Sequence, residues 1–417
     1  MALSKTELLS KDAMQQTADR VTVVITGLFA TAMTMVVPTR ATLVLATKKS
    51  DVAAAAKVMG SMASCAAMLE LFLNPVFGRL SDAYGRKPLL LVAVAVDALC
   101  RGAVALRPTS VPVAFADRAV SGAMFFCFLS PWNAALADVY GTGVTLTQKT
   151  ARLMTFYGAG ACIGPWLGAR MGARKSFAAS AAIFFAIFAW IRRMLPETLP
   201  EDRRRPFELL ACSPVRFVKL FQDRMTATLA VTVGLQSCGD YLNICDINLL
   251  YLQSILGYAR EQVGHFAAMV GVSQVASGQL MKTMSAAAGR KGATAIANTM
   301  YAAALLALGT SRSKEQVALA VLLMAFGHLR ASTVGSYLQH HGQARGMGAA
   351  EIEAAKANLC AVLKVFMPVL YGRLFAWGTS AGRRVPGLPY LLVAALTGAA
   401  QLAFSSVDPD RASAKGG

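Results

Sequence analysis

The chain alternates short charged connectors with apolar stretches of roughly 20 residues, the length that crosses the hydrocarbon core of a bilayer as a helix. The connector GRLSDAYGRK at 78–87, for example, lies between AAMLELFLNPVF and LLLVAVAVDAL. Only helices and closed barrels satisfy their backbone hydrogen bonds within lipid, so stretches of this length predict transmembrane helices. We expect twelve spans, at residues 21–46, 52–77, 89–106, 111–137, 150–171, 176–195, 226–252, 262–281, 292–310, 315–337, 353–377 and 386–405.

The composition agrees with a protein embedded in a lipid bilayer. Of the 417 residues, 55% are hydrophobic and 15% are charged, whereas soluble domains have about 25% charged residues. The net charge of +19 comes from short clusters of Lys and Arg between the spans. Because these clusters form no basic stripe or tail, they argue against nucleic acid as a partner.

The sequence lacks the patterns of enzymes and of metal or cofactor sites. Its eight cysteines show neither CxxC nor Cys/His ligand spacing. No span carries clustered His, Cys and carboxylates, a glycine-rich phosphate loop or a nucleophile elbow. We therefore expect no enzyme activity, no metal and no cofactor.

One long charged connector, at 192–225, divides the spans into six plus six. The sequence SDAYGRKP at 81–88 recurs as SAAAGRKG at 285–292, after the second span of each half. Two related six-helix halves around a central path are a known plan of transporters. We expect the protein to be a monomer. The predicted regions are a cytosolic N-terminal segment (1–20), an N-terminal six-helix bundle (21–195), a cytosolic central linker (196–225), a C-terminal six-helix bundle (226–405) and a cytosolic tail (406–417).

The distribution of Lys and Arg predicts the orientation of the chain. These residues are more numerous on the side that holds the N-terminus, the even-numbered connectors and the C-terminus. By the positive-inside rule, both termini are expected in the cytosol. The sequence leaves open whether the membrane is the plasma membrane or that of an organelle.

The connector at 78–87 has features that a basic turn does not need. Gly78 can let two helices approach closely, and Gly85 can take the positive φ of a tight turn. Asp82 can accept hydrogen bonds from a helix N-terminus, where a negative charge is favoured. Arg86 can form a forked pair with a carboxylate, for which Asp138 at the cytosolic end of the fourth span is the candidate.

In this connector the chain resembles the major facilitator superfamily, whose signature there is G-x-x-x-D-[RK]-x-G-[RK]-[RK]. Ala83 stands where the family usually has a base. The resemblance implies a latch that holds spans two, four and eleven together on the cytosolic side, with Asp82 directed to span eleven and Arg86 to Asp138. The residues that match the signature are Gly78, Asp82, Gly85, Arg86 and Lys87.

Two further stretches resemble the same superfamily. ADRAVSG in span four is similar to R-x-x-[QS]-G, which gives Arg118, an arginine position that the family links to proton transfer, together with Ser121 and Gly122. GACIGPWLGA in span five is similar to an exporter motif, which implies the drug:proton antiporter branch with tetracycline-exporter-like members. LPETLPEDRRRP is similar to the end of their sixth span. The span-five matches are Gly160, Gly164, Pro165 and Gly168.

The resemblance implies that the span-five motif forms a smooth packing surface against the other half of the chain. Ordinary packing of small residues explains its glycines almost as well. Ala169 replaces the last glycine of the motif and Ala151 an earlier one. The match is thin in the second half, where Ala286 stands at the position equivalent to Asp82.

Ionisable residues at membrane depth are costly and usually face a cavity or a partner. Asp97 and Arg101 are four residues apart in span three and can simply pair with each other. The candidates for proton coupling or for the substrate path are Glu70, Asp97, Arg118, Asp240 and Asp246.

Asp240 and Asp246 lie on different faces of span seven, which argues against a paired acid site. One of them can face the cavity while the other meets Lys364 or Arg373 of span eleven. The sequence does not decide which of the two aspartates faces the cavity.

Together these features predict an all-α membrane protein with twelve transmembrane helices in two pseudo-symmetric six-helix halves. We expect a transporter of a small organic solute that works by alternating access and exports the solute in exchange for protons. A uniporter or symporter of a sugar, organic acid or other metabolite is the alternative within transport. A receptor on a transporter fold, which binds but does not move its ligand, is the alternative outside it.

Overall fold

The computed structural model describes residues 21–140, 144–204, 206–207, 214–380 and 385–408. The predicted segment at 1–20 and most of the predicted tail lie outside the described residues. Within the described ranges the regular structure is helical, with two short 3₁₀ segments in the central connector.

The helices of the first half follow the predicted spans. α2 runs beyond its predicted span, through the charged connector, so that Gly85 alone separates it from α3. The six helices are α1 (Val21–Thr47), α2 (Val52–Tyr84), α3 (Arg86–Leu106), α4 (Val111–Tyr140), α5 (Val144–Met171) and α6 (Ala173–Met194).

The second half has seven described helices for six predicted spans. The carboxylate of Asp223 caps the first of them, because it accepts the backbone N–H groups of Met225 and Thr226 at 3.0 and 3.1 Å. The helices are α7 (Arg224–Cys238), α8 (Tyr241–Ser254), α9 (Arg260–Thr310), α10 (Lys314–Met324), α11 (Arg330–Ala344), α12 (Ala349–Thr379) and α13 (Leu388–Ser405).

Two predicted spans are interrupted, and the expectation of a continuous helix is wrong for both. Span seven breaks at Gly239 and Asp240, between α7 and α8. Span ten breaks between Met324 and Arg330, the end of α10 and the start of α11. Irregular backbone at membrane depth is tolerated only where it is buried in protein or lines a cavity.

Eight described helices are long and apolar enough to cross a membrane, judged by length and composition. One of them, α9, contains the eighth and ninth predicted spans, which a kink at Gly289 separates. The remaining predicted spans correspond to α5 and to the two interrupted pairs, α7–α8 and α10–α11. Each of the twelve predicted spans is therefore matched by described helix.

The chain packs into two compact units, which are described separately. Of the described residues, the first contains those within 21–40 and 72–207, and the second those within 41–71 and 214–408. In the first, the rings of Phe29 and Phe128 stack with centroids 4.2 Å apart in a core shared by α1, α3, α4 and α6. In the second, Tyr337 and Phe404 belong to the core cluster. The domain boundaries at 196–225 stay a prediction.

Candidate functional site

The α2–α3 turn places one arginine between two carboxylates. Nε of Arg86 lies 3.1 Å from Oδ2 of Asp138 on α4, the partner expected from the sequence. Nη1 of Arg86 lies 2.5 Å from Oδ1 of Asp82 and 3.0 Å from Oγ of Ser81. The Arg86 side chain is only 10% exposed, so solvent screens these contacts weakly.

A residue outside the predicted set, Glu197, completes this turn. Its Oε1 accepts the backbone N–H of Arg86 at 2.8 Å and its Oε2 accepts that of Lys87 at 3.1 Å. Lys87 Nζ in turn donates to the carbonyl oxygen of Arg192 at 2.9 Å. Since the N-cap residue of α3 is a glycine, the negative charge favoured at this helix N-terminus comes from the segment after α6.

Two roles expected from the sequence are corrected by this geometry. Glu197, and not Asp82, accepts the hydrogen bonds at the α3 N-terminus, while Asp82 contacts Arg86. Gly78 is not required for close packing, because an added Cβ would meet Oγ of Ser130 at an ordinary 3.5 Å.

The corresponding turn of the second half repeats the backbone geometry with different partners. Gly289 has φ +69°, as Gly85 has φ +103°. Arg290 donates from Nη2 to Oγ of Ser336 at 2.6 Å, and its guanidinium lies 4.2 Å from the ring centroid of Tyr337. The sequence repeat is thus a structural repeat, although the described partners of this arginine are neutral.

A second group of charges is buried inside the first unit. Nη1 of Arg101 on α3 donates to Oδ2 of Asp117 on α4 at 2.6 Å, and both side chains are at most 2% exposed. Ser121 donates to the other oxygen of Asp117 at 3.3 Å. The expected hydrogen-bonded pair of Arg101 with Asp97 does not form, because the guanidinium is directed to Asp117. Among the described residues, neither carboxylate oxygen of Asp97 has a hydrogen-bond partner.

The span-five glycines pack inside the first unit. A Cβ added to Gly160, Gly164 or Gly168 would overlap atoms of α1 residues 27–35. Pro165 is buried within the same helix. Close packing of small residues on α1 explains this spacing, and the role of the motif against the other half stays a prediction.

In the second unit, the broken span seven is held by buried polar side chains. Arg330, the first residue of α11, donates to the carbonyl oxygens of Gln236 at 2.8 Å and Gly327 at 3.1 Å. Its guanidinium stacks on the Tyr301 ring at 3.7 Å from the centroid. A cation is favoured at a helix C-terminus, where carbonyl groups lack intrahelical partners.

Two tyrosines satisfy the next carbonyl groups of the break. Tyr371 donates to the carbonyl oxygen of Cys238 at 2.7 Å, and Tyr301 donates to that of Gly239 at 2.8 Å. The Asp240 side chain that follows is 45% exposed and lies 3.7 Å from Nη2 of Arg330. The break therefore combines hydrogen-bonded carbonyl groups with one partly exposed carboxylate.

The remaining candidates occupy separate places. Glu70 lies 3.2 Å from Nζ of Lys364, the lysine that the sequence offered to Asp240 or Asp246. Asp246 is buried on α8. Arg118 is half-buried on α4, the helix that also contains Gly122.

The first part of α2 packs tightly against α12 within the second unit. An added Cβ at Gly60 would lie 2.5 Å from the carbonyl oxygen of Pro368, and one at Gly372 would lie 2.7 Å from that of Ala56. The Glu70–Lys364 pair joins the same two helices further along.

Sequence reasoning missed Arg330 and Glu197. Arg330 has a signal, a lone arginine inside the apolar span 315–337, where a charge needs a buried partner. The only sequence signal for Glu197 is the similarity of LPETLP to the end of a sixth span. That similarity implies no role for its carboxylate.

The sequence matches the family model described as the Major Facilitator Superfamily over residues 22–352. The chain belongs to this superfamily. The predicted fold class is therefore confirmed. None of the curated protein sequences matches the chain.

Solved structures share the major facilitator fold at low identity. The nucleoside transporter NupG has a TM-score of 0.73 at 12% identity, covering 93% of this chain and 98% of that one. The D-xylose-proton symporter has a TM-score of 0.69 at 15% identity, with coverages of 93% and 96%. The human organic anion transporter MFSD10 (TETRAN) has a TM-score of 0.63 at 19% identity, with coverages of 93% and 99%.

Membership of the major facilitator superfamily settles the general class of the protein. It is an integral, multi-pass membrane transporter of small molecules, and it is not an enzyme.

Proposed function

We propose that this transporter exports a small organic solute in exchange for protons, by alternating access to the two sides of the membrane. The observation that carries the proposal is the buried group Asp97, Arg101 and Asp117. A charged side chain at the centre of a transmembrane helix costs about 3 kcal/mol on insertion scales, so such residues usually serve transport.

The α2–α3 turn supports alternating access. Asp82 and Asp138 hold Arg86 in one arrangement, and Glu197 fixes the backbone beside it. We assign Gly78, Asp82, Gly85, Arg86, Lys87 and Asp138 to a cytosolic latch. Such a latch must be weak enough to open in every cycle, so its contribution is on the order of a few kcal/mol.

The broken span seven supports a substrate path at Asp240. Discontinuous helices form the substrate sites of many transporters, because their freed backbone groups and helix ends bind solutes and ions. Asp240 combines such a break with an accessible side chain. We assign Glu70, Arg118 and Asp246 to the same path or to proton coupling.

The direction of transport rests on the span-five resemblance to exporters. Gly160, Gly164, Pro165 and Gly168 match that motif, and Gly122 matches the motif of span four. The excess of Lys and Arg on one side supports cytosolic termini, and we propose a monomer as the working unit.

The test begins with the solute. Thermal unfolding of the purified protein is followed with nucleosides, pentoses, organic anions and lipophilic amines, and the compound that stabilises it is then used for flux. In proteoliposomes, a pH gradient is expected to drive uphill movement of that compound, and collapse of the gradient is expected to abolish it. Flux that ignores the gradient would instead establish a uniporter, and binding without counterflow would establish a receptor.

The latch is tested with the same flux assay. Asp82→Asn and Arg86→Gln are expected to reduce transport strongly while the protein stays folded and inserted. Glu201→Gln is the matched control, since Glu201 is 88% exposed. Wild-type flux in Asp82→Asn would refute the latch and leave the transporter class intact.

A further inference from the structure

Asp97 is the least compensated charge among the buried residues described for the first unit. The side chain is fully buried on α3, and neither carboxylate oxygen has a hydrogen-bond partner among the described residues. Its carboxyl interacts electrostatically with Arg101 and Asp117, and the hydroxyl group of Ser121, which donates to Asp117, also interacts with it. The site therefore has a buried, unpartnered acceptor beside an arginine that is bonded elsewhere.

The charges of this group do not balance when all three ionise. Asp97 and Asp117 supply two negative charges and Arg101 one positive charge, at exposures of at most 2%. A buried charge without a hydrogen-bonded partner is strongly unfavourable in a low-dielectric interior. One proton on a carboxylate removes the imbalance.

The contacts decide which carboxylate takes that proton. Both oxygens of Asp117 are bonded, one to Arg101 at 2.6 Å and the other to Ser121 at 3.3 Å. A proton on either oxygen of Asp117 would compete with one of these donors. The carboxylate oxygens of Asp97 accept no comparable hydrogen bond, so a proton on Asp97 displaces no donor.

The guanidinium of Arg101 also has neutral neighbours on two other helices. α1 contributes the sulfur of Met33, 4.0 Å from Nη2 of Arg101, and α6 contributes the ring of Phe177, whose centroid lies 5.6 Å from the guanidinium carbon. α3 itself contributes Cys100, whose thiol interacts with both carboxylates. In these described contacts, Arg101 is the single positive charge that the two carboxylates share.

We propose that Asp97 binds one proton while it is buried and exchanges it with water when the transport cycle exposes it. Binding forms one O–H bond on a carboxylate oxygen, with the proton taken from water. The exchange part rests on the proposed function, since it makes Asp97 the proton carrier of the antiport. The binding part stands independently of it.

Infrared spectroscopy of the purified wild-type protein tests the binding part without a solute. A protonated carboxylic acid has a carbonyl stretch that a carboxylate lacks. At neutral pH we expect this band in the wild type, its loss in Asp97→Asn, and its retention in the control Asp51→Asn, which changes an exposed acid. Identical spectra for the wild type and Asp97→Asn between about pH 5 and pH 8, the range in which physiological pH switches titrate, would overturn the proposal.

Asp117→Asn tests the sharing of Arg101 and does not depend on the stability of Asp97→Asn. With Asp117 uncharged, Arg101 is the only charge left for Asp97 within the group, so Asp97 is expected to ionise more readily. The carbonyl band should therefore shrink at neutral pH. An unchanged or larger band would show that the two carboxylates do not compete for Arg101 and would overturn the inference.

Transfer of the wild-type protein into D₂O tests the exchange part. A shift of the Asp97 band within minutes is expected, because a carried proton must reach water. A band that stays unshifted would identify a permanent structural proton and overturn the carrier role. If the wild-type flux proves independent of pH while the band exchanges, the antiport proposal fails and the proton site remains.

Discussion

The carboxylate of Glu197 fills the space that a side chain at Gly85 would occupy. An ideal Cβ on Gly85 would lie 2.5 Å from Oε2 of Glu197, and the residue already has φ +103°. The same carboxylate accepts the backbone N–H groups of Arg86 and Lys87. The conformation of the glycine and the cap of α3 therefore depend on each other.

Gly85→Ala is expected to destabilise the protein. The alanine would combine a positive φ with the contact to Glu197, and strain of this kind is about 1–3 kcal/mol. A lower apparent melting temperature in detergent, followed by tryptophan fluorescence, is the measurement. Gly78→Ala is the control and is expected to melt like the wild type, since its Cβ meets Ser130 at 3.5 Å. Equal melting of both variants would contradict the proposed packing.

Glu197→Ala is expected to lower stability by about 1 kcal/mol, as the loss of a helix cap does. Glu197→Gln should lie between this variant and the wild type, because its amide oxygen can replace only one of the two carboxylate oxygens. Thermal unfolding in detergent measures both changes. The control is Glu201→Ala, an acidic residue of the same connector that is 88% exposed. A cap role is excluded if Glu197→Ala and Glu201→Ala behave alike.

Gly168→Ala is expected to disrupt the packing of α5 on α1, because its Cβ would overlap the backbone of Met35. Gly398→Ala on α13 is the matched control, since no atom of another residue outside its own helix backbone lies within 4 Å of that Cβ. The control should be neutral or gain up to about 1 kcal/mol from helix propensity. The yield of monodisperse protein in size-exclusion chromatography and the melting temperature report the difference. A Gly168→Ala protein as stable as Gly398→Ala would rule out the close α1–α5 contact.

Arg330→Met is expected to cost about 3 kcal/mol or more, the scale for removing one partner of a buried charged contact. The change removes the guanidinium donor of the Gln236 carbonyl oxygen, which then keeps only the backbone N–H of Gly239 at 3.2 Å. Arg290→Met is the control: this arginine also stacks on a tyrosine, but its hydrogen bond to Ser336 is exposed. Chemical unfolding followed by far-ultraviolet circular dichroism measures both. Similar losses in the two variants would show that the broken span does not depend on Arg330.

The sequence predicts the spans because the length of each apolar stretch can be read directly from it. It does not predict the break at Gly239, because the freed carbonyl groups there are satisfied by side chains from distant helices. Tyr301 and Tyr371 reach that break from α9 and α12.

The contacts of the charged residues are likewise predicted from the sequence only in part. The Arg86–Asp138 contact follows from a local motif and is predicted correctly as a pair. Arg101 donates to Asp117 on α4 and not to Asp97 on its own helix, and this contact depends on how α3 and α4 are rotated relative to each other. The Glu70–Lys364 contact joins residues 294 positions apart. Spacing along one chain contains no information on these rotations.

The two glycine turns have one backbone plan but unlike chemistry. Carboxylates hold Arg86, whereas a hydroxyl group and an aromatic ring hold Arg290. Dissolved salt weakens attraction between opposite charges and leaves neutral contacts nearly unchanged. Because the Arg86 side chain is only 10% exposed, salt can weaken its ion pairs only once the first turn opens to water, whereas the second turn has no such ion pairs among its described contacts.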